Sequence, residues 1–129
     1  MSKRKQAGNS EASAGLVVQG WFDAWAKADM DRARRIAPRL RTYLGNGDIV
    51  EGFDGFVAWF AERRVSEGHG FSYSVVDVRT TANLAVVLVQ LHSELRRHGE
   101  DWMQVAVYRI DSGQITGVWV FEDDRTDGS

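Results

Sequence analysis

The C-terminal half of the sequence consists of four segments with the residue preferences of β-strands, joined by short connections. They cover 71–79, 84–97, 100–110 and 114–122. The last two connections, His98-Gly99 and Ser112-Gly113, are two-residue turns that end in glycine. Such turns favour tight antiparallel hairpins. The chain is therefore predicted to fold around an antiparallel meander, against which its N-terminal half must pack.

The N-terminal half has helical patterns instead of alternating ones. Apolar residues recur at three- and four-residue steps between positions 14 and 36, which predicts an amphipathic helix. Asp29 has the chemistry of an N-cap and predicts that a second helical piece begins there. A further helix is predicted over 53–65, with Asp54 as its cap.

Between these helices, Gly45-Asn46-Gly47 separates two short segments at 39–44 and 49–51. An Asn-Gly pair between short strands is a hairpin signal. The complete order is helices first and then a long antiparallel meander. This order predicts an α+β domain with the helices packed on one face of the sheet.

Length and composition fit one globular domain. The 129 residues suffice for one core, which we assign to 14–123, with disordered tails at 1–13 and 124–129.

A net charge of −2 gives no basic field for nucleic acid or an anionic membrane. The longest apolar run, Leu84–Val89, is far shorter than the roughly 20 residues of a membrane helix. Met1–Ala14 lacks the apolar stretch of a secretory signal. The absence of cysteine excludes disulfides and suits the cytoplasmic location that we expect.

Each two-residue turn fixes a register of strand pairing that can be counted outward from the turn. The registers from His98-Gly99 and Ser112-Gly113 agree on which side chains share a face of the sheet. Leu95 is predicted to lie opposite Trp102, and Ala106 opposite Trp119. The face toward the helices then carries Val87, Val89, Leu91, Ser93, Leu95, Trp102, Gln104, Ala106, Tyr108, Ile110, Ile115, Trp119, Phe121 and Asp123. A one-residue slip in either turn exchanges the two faces, so the site predictions depend on this register.

The opposite, outer face of the sheet is mixed, but it keeps an apolar band formed by Met103, Val105, Val107, Val118 and Val120. An apolar band of this size in water promotes association. We therefore expect a homodimer through the outer face. A monomeric mass in light scattering at micromolar concentration would contradict this expectation.

Three stretches carry a resemblance to a known fold family: 17–30 (VVQGWFDAWAKADM), 52–60 (GFDGFVAWF) and 107–123 (VYRIDSGQITGVWVFED). In these stretches and in the order of its elements, the chain resembles the nuclear transport factor 2-like superfamily, which includes SnoaL-like polyketide cyclases and relatives of ketosteroid isomerase. The resemblance implies a cone-shaped fold, in which a curved antiparallel sheet wraps around the N-terminal helices and leaves a pocket at its open end. Because the superfamily contains both enzymes and binding proteins, the fold does not specify a reaction.

Ketosteroid isomerases of this superfamily use a carboxylate base on an early strand and an acid on the penultimate strand. The matching positions here hold Tyr43 and Ala106. Removing a proton from carbon requires a base beside the apolar pocket. The resemblance therefore does not extend to ketosteroid isomerase activity.

Asp123, Tyr43 and Gln104 are the candidate catalytic residues. Asp123 ends the last strand on the predicted inner face beside Trp102, where partial desolvation suits a general acid or base. The alternative is that Asp123 lies in water past the strand end. Tyr43 offers a hydroxyl donor. Gln104 is predicted to face Ser93, and this polar pair either satisfies itself or binds a ligand carbonyl.

Aromatic side chains are the candidate walls of a ligand pocket. Five Trp, six Phe and three Tyr exceed what a small core needs, although each ring taken alone is equally compatible with the core. The candidate ligand-binding residues are Trp21, Trp59, Phe60, Tyr73, Ser93, Trp102, Tyr108, Trp119 and Phe121. Trp25 is assigned to the core.

The three histidines do not suggest a site. His92 lies two residues from Glu94 on one strand, so both are predicted to lie on the outer face. His69 and His98 have no metal-ligand spacing. We expect neither a metal nor a cofactor.

Two functions remain open. The first is a cofactor-free, SnoaL-like cyclase or isomerase that applies general acid–base chemistry to a polycyclic or apolar substrate. The second is a non-catalytic, dimeric ligand-binding or accessory protein of the same fold. In both, the partner is a small apolar or aromatic molecule.

Overall fold

The computed structural model describes residues 2–68, 70–94 and 101–122, with side chains described from Ala14 onward. Helices and strands follow one another in the predicted order. They are α1 (Ser2–Ala26), α2 (Met30–Ile36), β1 (Arg41–Tyr43), β2 (Ile49–Glu51), α3 (Gly52–Glu67), β3 (Ser72–Thr80), β4 (Leu84–His92), β5 (Trp102–Asp111) and β6 (Gln114–Glu122). Helix α1 begins at Ser2 and so includes most of the segment 1–13. The disordered tail expected for that segment stays a prediction. The predicted tail at 124–129 lies outside the described residues.

The six strands form one curved sheet in the order β2-β1-β6-β5-β4-β3. All neighbouring pairs are antiparallel except β1 and β6, which run parallel. Parallel neighbours need a long connection, and here α3 and the whole meander separate the two strands in sequence. The predicted α+β class is confirmed. The predicted sheet was antiparallel throughout, whereas the observed sheet is mixed, because β1 runs parallel to β6.

Two acidic residues that the sequence predicts as caps behave differently. Asp29 caps α2 and accepts a hydrogen bond from the Arg32 backbone N–H at 3.2 Å, as predicted. Asp54 does not cap α3, because the chain enters this helix directly from β2 and Glu51 holds the N-cap position. Asp54 lies within the first turn and binds the Arg34 side chain at 2.7 Å.

The register between β4 and β5 differs from the prediction by four residues. Leu91, rather than Leu95, lies opposite Trp102. Strand β4 ends at His92, so its connection to β5 is longer than the predicted turn at His98-Gly99, which lies outside the described residues. Because the shift is even, the described β4 side chains keep their predicted faces.

Strand β6 contains a bulge that the sequence prediction missed. Ile110 lies opposite Ile115 as predicted, but Arg109 lies opposite Gly117, so Thr116 is an extra residue in β6. An extra residue reverses the alternation of side chains beyond it. The predicted faces of β6 are therefore wrong after the bulge. The inner face carries Val118, Val120 and Glu122, and the outer face carries Trp119 and Phe121.

Gly117 and Tyr43 explain the position of Trp119. A Cβ atom at Gly117 would lie 3.3 Å from the six-membered ring of Trp119, so the indole lies directly against the glycine. There it stacks on Tyr43, with ring centroids 4.7 Å apart and planes 8° from parallel. The missing side chain at position 117 thus leaves room for an aromatic pair on the outer face.

The core lies between the inner face of the sheet and the three helices. Trp21, Trp102 and Leu40 are its largest fully buried side chains. Within the described part of the chain, no helix is both long and apolar enough to cross a membrane.

Candidate functional site

A cavity of about 60 Å³ lies between α1, α3 and the inner face of the sheet. We call it the aromatic cavity, because nine of its lining residues carry aromatic rings: six lie on α1 and α3, and the others are Phe71, Tyr73 and Tyr108. The lining residues are Trp21, Phe22, Trp25, Phe56, Trp59, Phe60, Arg63, Phe71, Tyr73, Val89, Leu91, Gln104, Ala106, Tyr108, Val118 and Val120.

Two helical pairs of rings build the wall of the cavity. Trp21 and Trp25 are four residues apart on α1, and Phe56 and Phe60 are four residues apart on α3, so each pair shares one face of its helix. The pairs meet across the helix interface. Trp21 lies 5.5 Å from Phe56, and Trp25 lies 5.2 Å from Phe60, measured between ring centroids.

The structure brings many of the predicted site residues together. The candidate ligand-binding residues that line the aromatic cavity are Trp21, Trp59, Phe60, Tyr73 and Tyr108. Gln104, a candidate catalytic residue, lines it too. Trp25, which the sequence analysis assigned to the core, is also part of the lining.

Ser93 and Trp102 are buried but do not line the cavity. The Ser93 hydroxyl donates to the Glu67 backbone carbonyl at 2.5 Å. The predicted pairing of Ser93 with Gln104 is wrong, because the four-residue shift places Val89 opposite Gln104.

The remaining candidates lie elsewhere. Tyr43 and Trp119 form the stacked pair on the outer face, so the predicted position of Trp119 toward the helices is wrong. Tyr43 does not line the aromatic cavity. Phe121 is also on the outer face and is 54% exposed. Asp123 lies outside the described residues. The register that placed Asp123 on the inner face does not hold in β6, because of the bulge at Thr116.

Two tyrosines, Tyr73 and Tyr108, add hydroxyl groups to the lining of the aromatic cavity. Burial raises the pKa of Tyr108 far above its usual value, although a hydrogen bond with Trp21 opposes the shift. Burial also raises the pKa of Tyr73, against a smaller opposing effect of Arg64. At neutral pH both side chains are therefore phenols that donate hydrogen bonds and do not act as bases.

An ion pair lies at one end of the cavity. Both terminal nitrogens of Arg63 bind the two carboxylate oxygens of Glu122, and the Glu67 carboxylate lies 3.6 Å from the guanidinium. The Trp102 indole N–H donates to Glu122 Oε1 at 2.8 Å. Phe71 lies under the guanidinium, with its ring centroid 5.7 Å from Cζ. Only 14% of the Arg63 side chain and 20% of the Glu122 side chain are exposed.

The charge of Arg63 is maintained despite its burial. Desolvation by itself lowers the pKa of the guanidinium, but the hydrogen bonds and charge of Glu122 outweigh it, and the net effect raises the pKa. Glu67 contributes in the same direction. The group therefore stays a cation next to the cavity.

An open cleft of about 860 Å³ adjoins the aromatic cavity. Trp59, Arg63 and Val120 line both spaces, so these side chains form the boundary between them. Phe121 and Glu122 also line this cleft. The aromatic cavity and the open cleft are therefore neighbours, separated by these three side chains.

The described residues contain no group of three or more His, Asp or Glu side chains arranged to hold a metal ion. His92 lies on the outer face, where its Nδ1 atom is 2.7 Å from the Asp101 carboxylate. This contact and a hydrogen bond from Gln90 lower the pKa of Asp101. The pair is separate from the cavity.

Solved structures with the same fold are numerous. A protein assigned as a SnoaL-like polyketide cyclase, from Jannaschia sp. CCS1, is 22% identical and superposes with a TM-score of 0.71 over 88% of this chain and 87% of its own. A protein assigned as a ketosteroid isomerase, from Kribbella flavida, is 13% identical with a TM-score of 0.74 over 91% and 82%. TerC, co-crystallised with polyporic acid, is 12% identical with a TM-score of 0.71 over 86% and 92%.

These likenesses show that the chain has the nuclear transport factor 2-like fold. At these identities they show the fold alone. No protein-family model and no curated protein matches the sequence.

Sequence reasoning missed Arg63 and Glu122 as site residues. Arg63 lies four residues after Trp59 and four before Glu67, so the helical spacing of α3 places all three on one face. That signal was available in the sequence. Glu122 was hidden, because only the bulge at Thr116 turns it toward the helices.

Proposed function

We propose that the protein binds a small, planar, largely apolar molecule in the aromatic cavity and the adjoining cleft. The observation that carries the proposal is an unfilled space among stacked and edge-on rings, where protein interiors are normally close-packed. Aromatic walls with a few polar groups are the usual lining of small-molecule sites. Gln104, Tyr73 and Tyr108 supply those polar groups here.

The size of the cavity sets how a ligand is accommodated. An apolar cavity of about 150 Å³ holds a benzene molecule, whereas the aromatic cavity has about 60 Å³. A planar ligand must therefore extend past Trp59 and Arg63 into the cleft, or displace Trp59. Both residues lie at the boundary of the two spaces, where a partly exposed side chain has room to move.

One structural neighbour supports the proposal that a protein of this fold binds an aromatic molecule. TerC, which has the same fold, was co-crystallised with polyporic acid. The SnoaL-like protein from Jannaschia also has this fold. Polycyclic and aromatic molecules are therefore the first class of ligand to test.

We expect 9-fluorenone and fluorene, two planar tricyclic compounds, to bind with dissociation constants on the order of 10–100 µM, at about 0.4–0.5 kcal/mol per non-hydrogen atom. Ligand-observed NMR titration measures this directly. Ala106→Phe places a ring in the cavity and is expected to weaken binding at least about tenfold by steric exclusion. Ala58→Phe, on an exposed position of α3, is the matched control. No binding by any planar polycycle, or equal binding by both variants, would overturn the proposal.

A catalytic form of the same function is favoured by one observation. Glu122 brings a carboxylate to the inner face next to the cavity lining, where a cyclase or isomerase needs a proton acceptor. Gln104 lies within the lining and suits a substrate carbonyl. Asp123 remains a proposed catalytic residue. Tyr43, on the opposite face, is less suited to act on the same ligand.

We also propose that two copies associate through the outer face of the sheet. Val118 and Val120, which were predicted to belong to the apolar band of this face, lie on the inner face because of the bulge in β6. Trp119 and the exposed Phe121 take their places on the outer face. Leu84 and Val86 on β4 are 37% and 40% exposed on the same face. A second copy with the same apolar surface would cover all of these side chains.

Val86→Glu is expected to convert the dimer to a monomer, because it places a charge in the centre of the proposed interface. Multi-angle light scattering at micromolar concentration measures the mass. Val65→Glu is the control, since Val65 on α3 is 82% exposed and lies away from the sheet face. A monomeric mass for the unmodified protein would rule out this interface at that concentration.

A further inference from the structure

A hydroxyl, an imidazole and a carboxylate form a row across three neighbouring strands on the outer face of the sheet. Ser72 on β3 lies directly opposite His92 on β4. On the other side of His92 is Asp101, the residue before β5, whose carboxylate oxygen is 2.7 Å from His92 Nδ1. A nucleophile, a general base and the group that orients the base act together in this same order.

The carboxylate of Asp101 is held in place from two sides. It contacts His92 Nδ1 through one oxygen and accepts a hydrogen bond from the Gln90 side-chain amide through the other. The contact with His92 and that with Gln90 both lower the pKa of Asp101, which therefore stays an anion at neutral pH. An anion at Nδ1 favours the tautomer with its proton on Nδ1, and Nε2 then keeps a lone pair that can accept a proton.

The second ring nitrogen of His92 lies on the side of Ser72. The two nitrogens of an imidazole point in nearly opposite directions, so Nε2 turns toward β3 when Nδ1 is bound at the β5 side. Residues directly opposite each other on antiparallel strands have Cβ atoms about 4.5–5.5 Å apart. The Ser72 hydroxyl and the imidazole are not hydrogen-bonded in this structure, and such contacts often tighten only when substrate binds.

All three side chains can be reached from solvent. Ser72 is exposed, and the side chains of His92 and Asp101 are 39% and 41% exposed. His92 is six positions along β4 from Val86, the centre of the proposed dimer interface, which corresponds to about 20 Å. The row and that interface therefore occupy different parts of the outer face.

Strand β3 also provides hydrogen-bond donors near Ser72. It is the last strand at its end of the sheet, so alternate backbone N–H groups have no strand partner. Backbone N–H groups close to a nucleophile are common donors to the oxyanion that forms during acyl transfer. The negative charge that develops beside Ser72 can be stabilised in this way.

We propose that Ser72, His92 and Asp101 form a reactive-serine site that hydrolyses small carboxylic esters. The Ser72 oxygen attacks the ester carbonyl carbon while His92 Nε2 takes the hydroxyl proton. The bond between this carbon and the alkoxy oxygen then breaks, and His92 gives the proton to the leaving alcohol. A water molecule, deprotonated by His92, attacks the acyl-serine, and the acid leaves as the serine oxygen regains a proton. Asp101 is a positioning residue and exchanges no bond with the substrate.

Hydrolysis of p-nitrophenyl acetate, followed by the absorbance of p-nitrophenolate, tests the proposal. General-base assistance contributes about 10²–10⁴-fold, so Ser72→Ala and His92→Gln are each expected to lower kcat/KM at least about tenfold. Ser74→Ala is the matched control and should keep full activity. Ser74 is exposed on the same strand and the same face, but it lies opposite Gln90 instead of a histidine.

The positioning role of Asp101 has its own readout. Asp101→Asn is expected to lower kcat about tenfold or more and to leave KM unchanged, because the amide no longer favours the proton on Nδ1 while the substrate contacts remain. The melting temperature should stay within a few degrees of that of the unmodified protein, since the side chain is exposed. An unchanged kcat in Asp101→Asn would overturn the assignment of this residue.

Covalent labelling identifies the nucleophile independently of turnover. A fluorophosphonate reacts with an activated serine, and peptide mass spectrometry is expected to find the adduct on Ser72. Labelling should be at least about tenfold slower in His92→Gln, which removes the base. An adduct on another serine, or no adduct, would overturn the site.

The kinetic outcomes distinguish the serine from a histidine that acts alone. Equal rates for Ser72→Ala and Ser74→Ala would overturn the proposal. Activity lost in His92→Gln but kept in Ser72→Ala would also overturn it, because the imidazole would then be the nucleophile itself. Ligand binding in the aromatic cavity uses other residues, so each of these results leaves the proposed function as it stands.

Discussion

Replacing Glu122 with alanine is expected to lower the free energy of unfolding by about 3 kcal/mol, because Arg63 then remains charged in a largely desolvated position. The loss has two parts. The guanidinium loses both hydrogen bonds to the carboxylate, and the Trp102 indole N–H loses its 2.8 Å hydrogen bond to Glu122. Glu67 stays 3.6 Å away and offsets part of the loss. Urea unfolding followed by circular dichroism at pH 7 measures the change.

Glu51→Ala is the matched control for this prediction. Glu51 binds Arg41 through the same two-bond geometry, at 2.7 and 2.9 Å, but the two side chains are 64% and 51% exposed. Exposed ion pairs contribute about 0–1 kcal/mol, so Glu51→Ala should have a small effect. Arg63→Met combined with Glu122→Leu should recover most of the stability, since it removes both charges together. Equal losses for Glu122→Ala and Glu51→Ala would show that water screens the Arg63 pair.

The sequence predicts the architecture well because its signals are local. Asp29 at the N-cap of α2, the Asn-Gly turn before β2 and the Ser112-Gly113 turn before β6 act within a few residues, and each is found where the prediction places it. The aromatic residues of α1 and α3 are equally accessible to sequence reasoning. Their spacing of four residues fixes the face that they share.

The site is less predictable because it depends on register, which accumulates errors along a strand. The error at the β4–β5 connection was four residues and left the faces unchanged, so Tyr108 and Gln104 keep their predicted position on the inner face, where the cavity lies. A single extra residue at Thr116 exchanged Trp119 with Val118 and made Glu122 the inward carboxylate. The space beside Gly117 that accommodates Trp119 depends on Tyr43 from a distant strand. No pattern within β6 contains that information.

Replacing Trp21 with alanine is expected to lower the free energy of unfolding by about 3–5 kcal/mol, the usual cost of truncating a buried aromatic side chain. Trp21 is 2% exposed and contacts rings of both helices, with centroid distances of 5.7 Å to Trp25, 6.1 Å to Phe53 and 5.5 Å to Phe56. It joins α1 to α3 and forms one wall of the cavity. Thermal and urea unfolding give the change in stability.

The space left by Trp21 provides a second, independent readout. Because the new void is continuous with the aromatic cavity, the Trp21→Ala protein should bind indole, and indole should raise its melting temperature more than that of the unmodified protein. Trp59→Ala is the control, since Trp59 is only partly buried and borders the open cleft, so its loss should cost less and create no closed void. A loss below about 1.5 kcal/mol for Trp21→Ala, without rescue by indole, would mean that the rings of α1 and α3 are not close-packed. The wall on which ligand binding depends would then be absent.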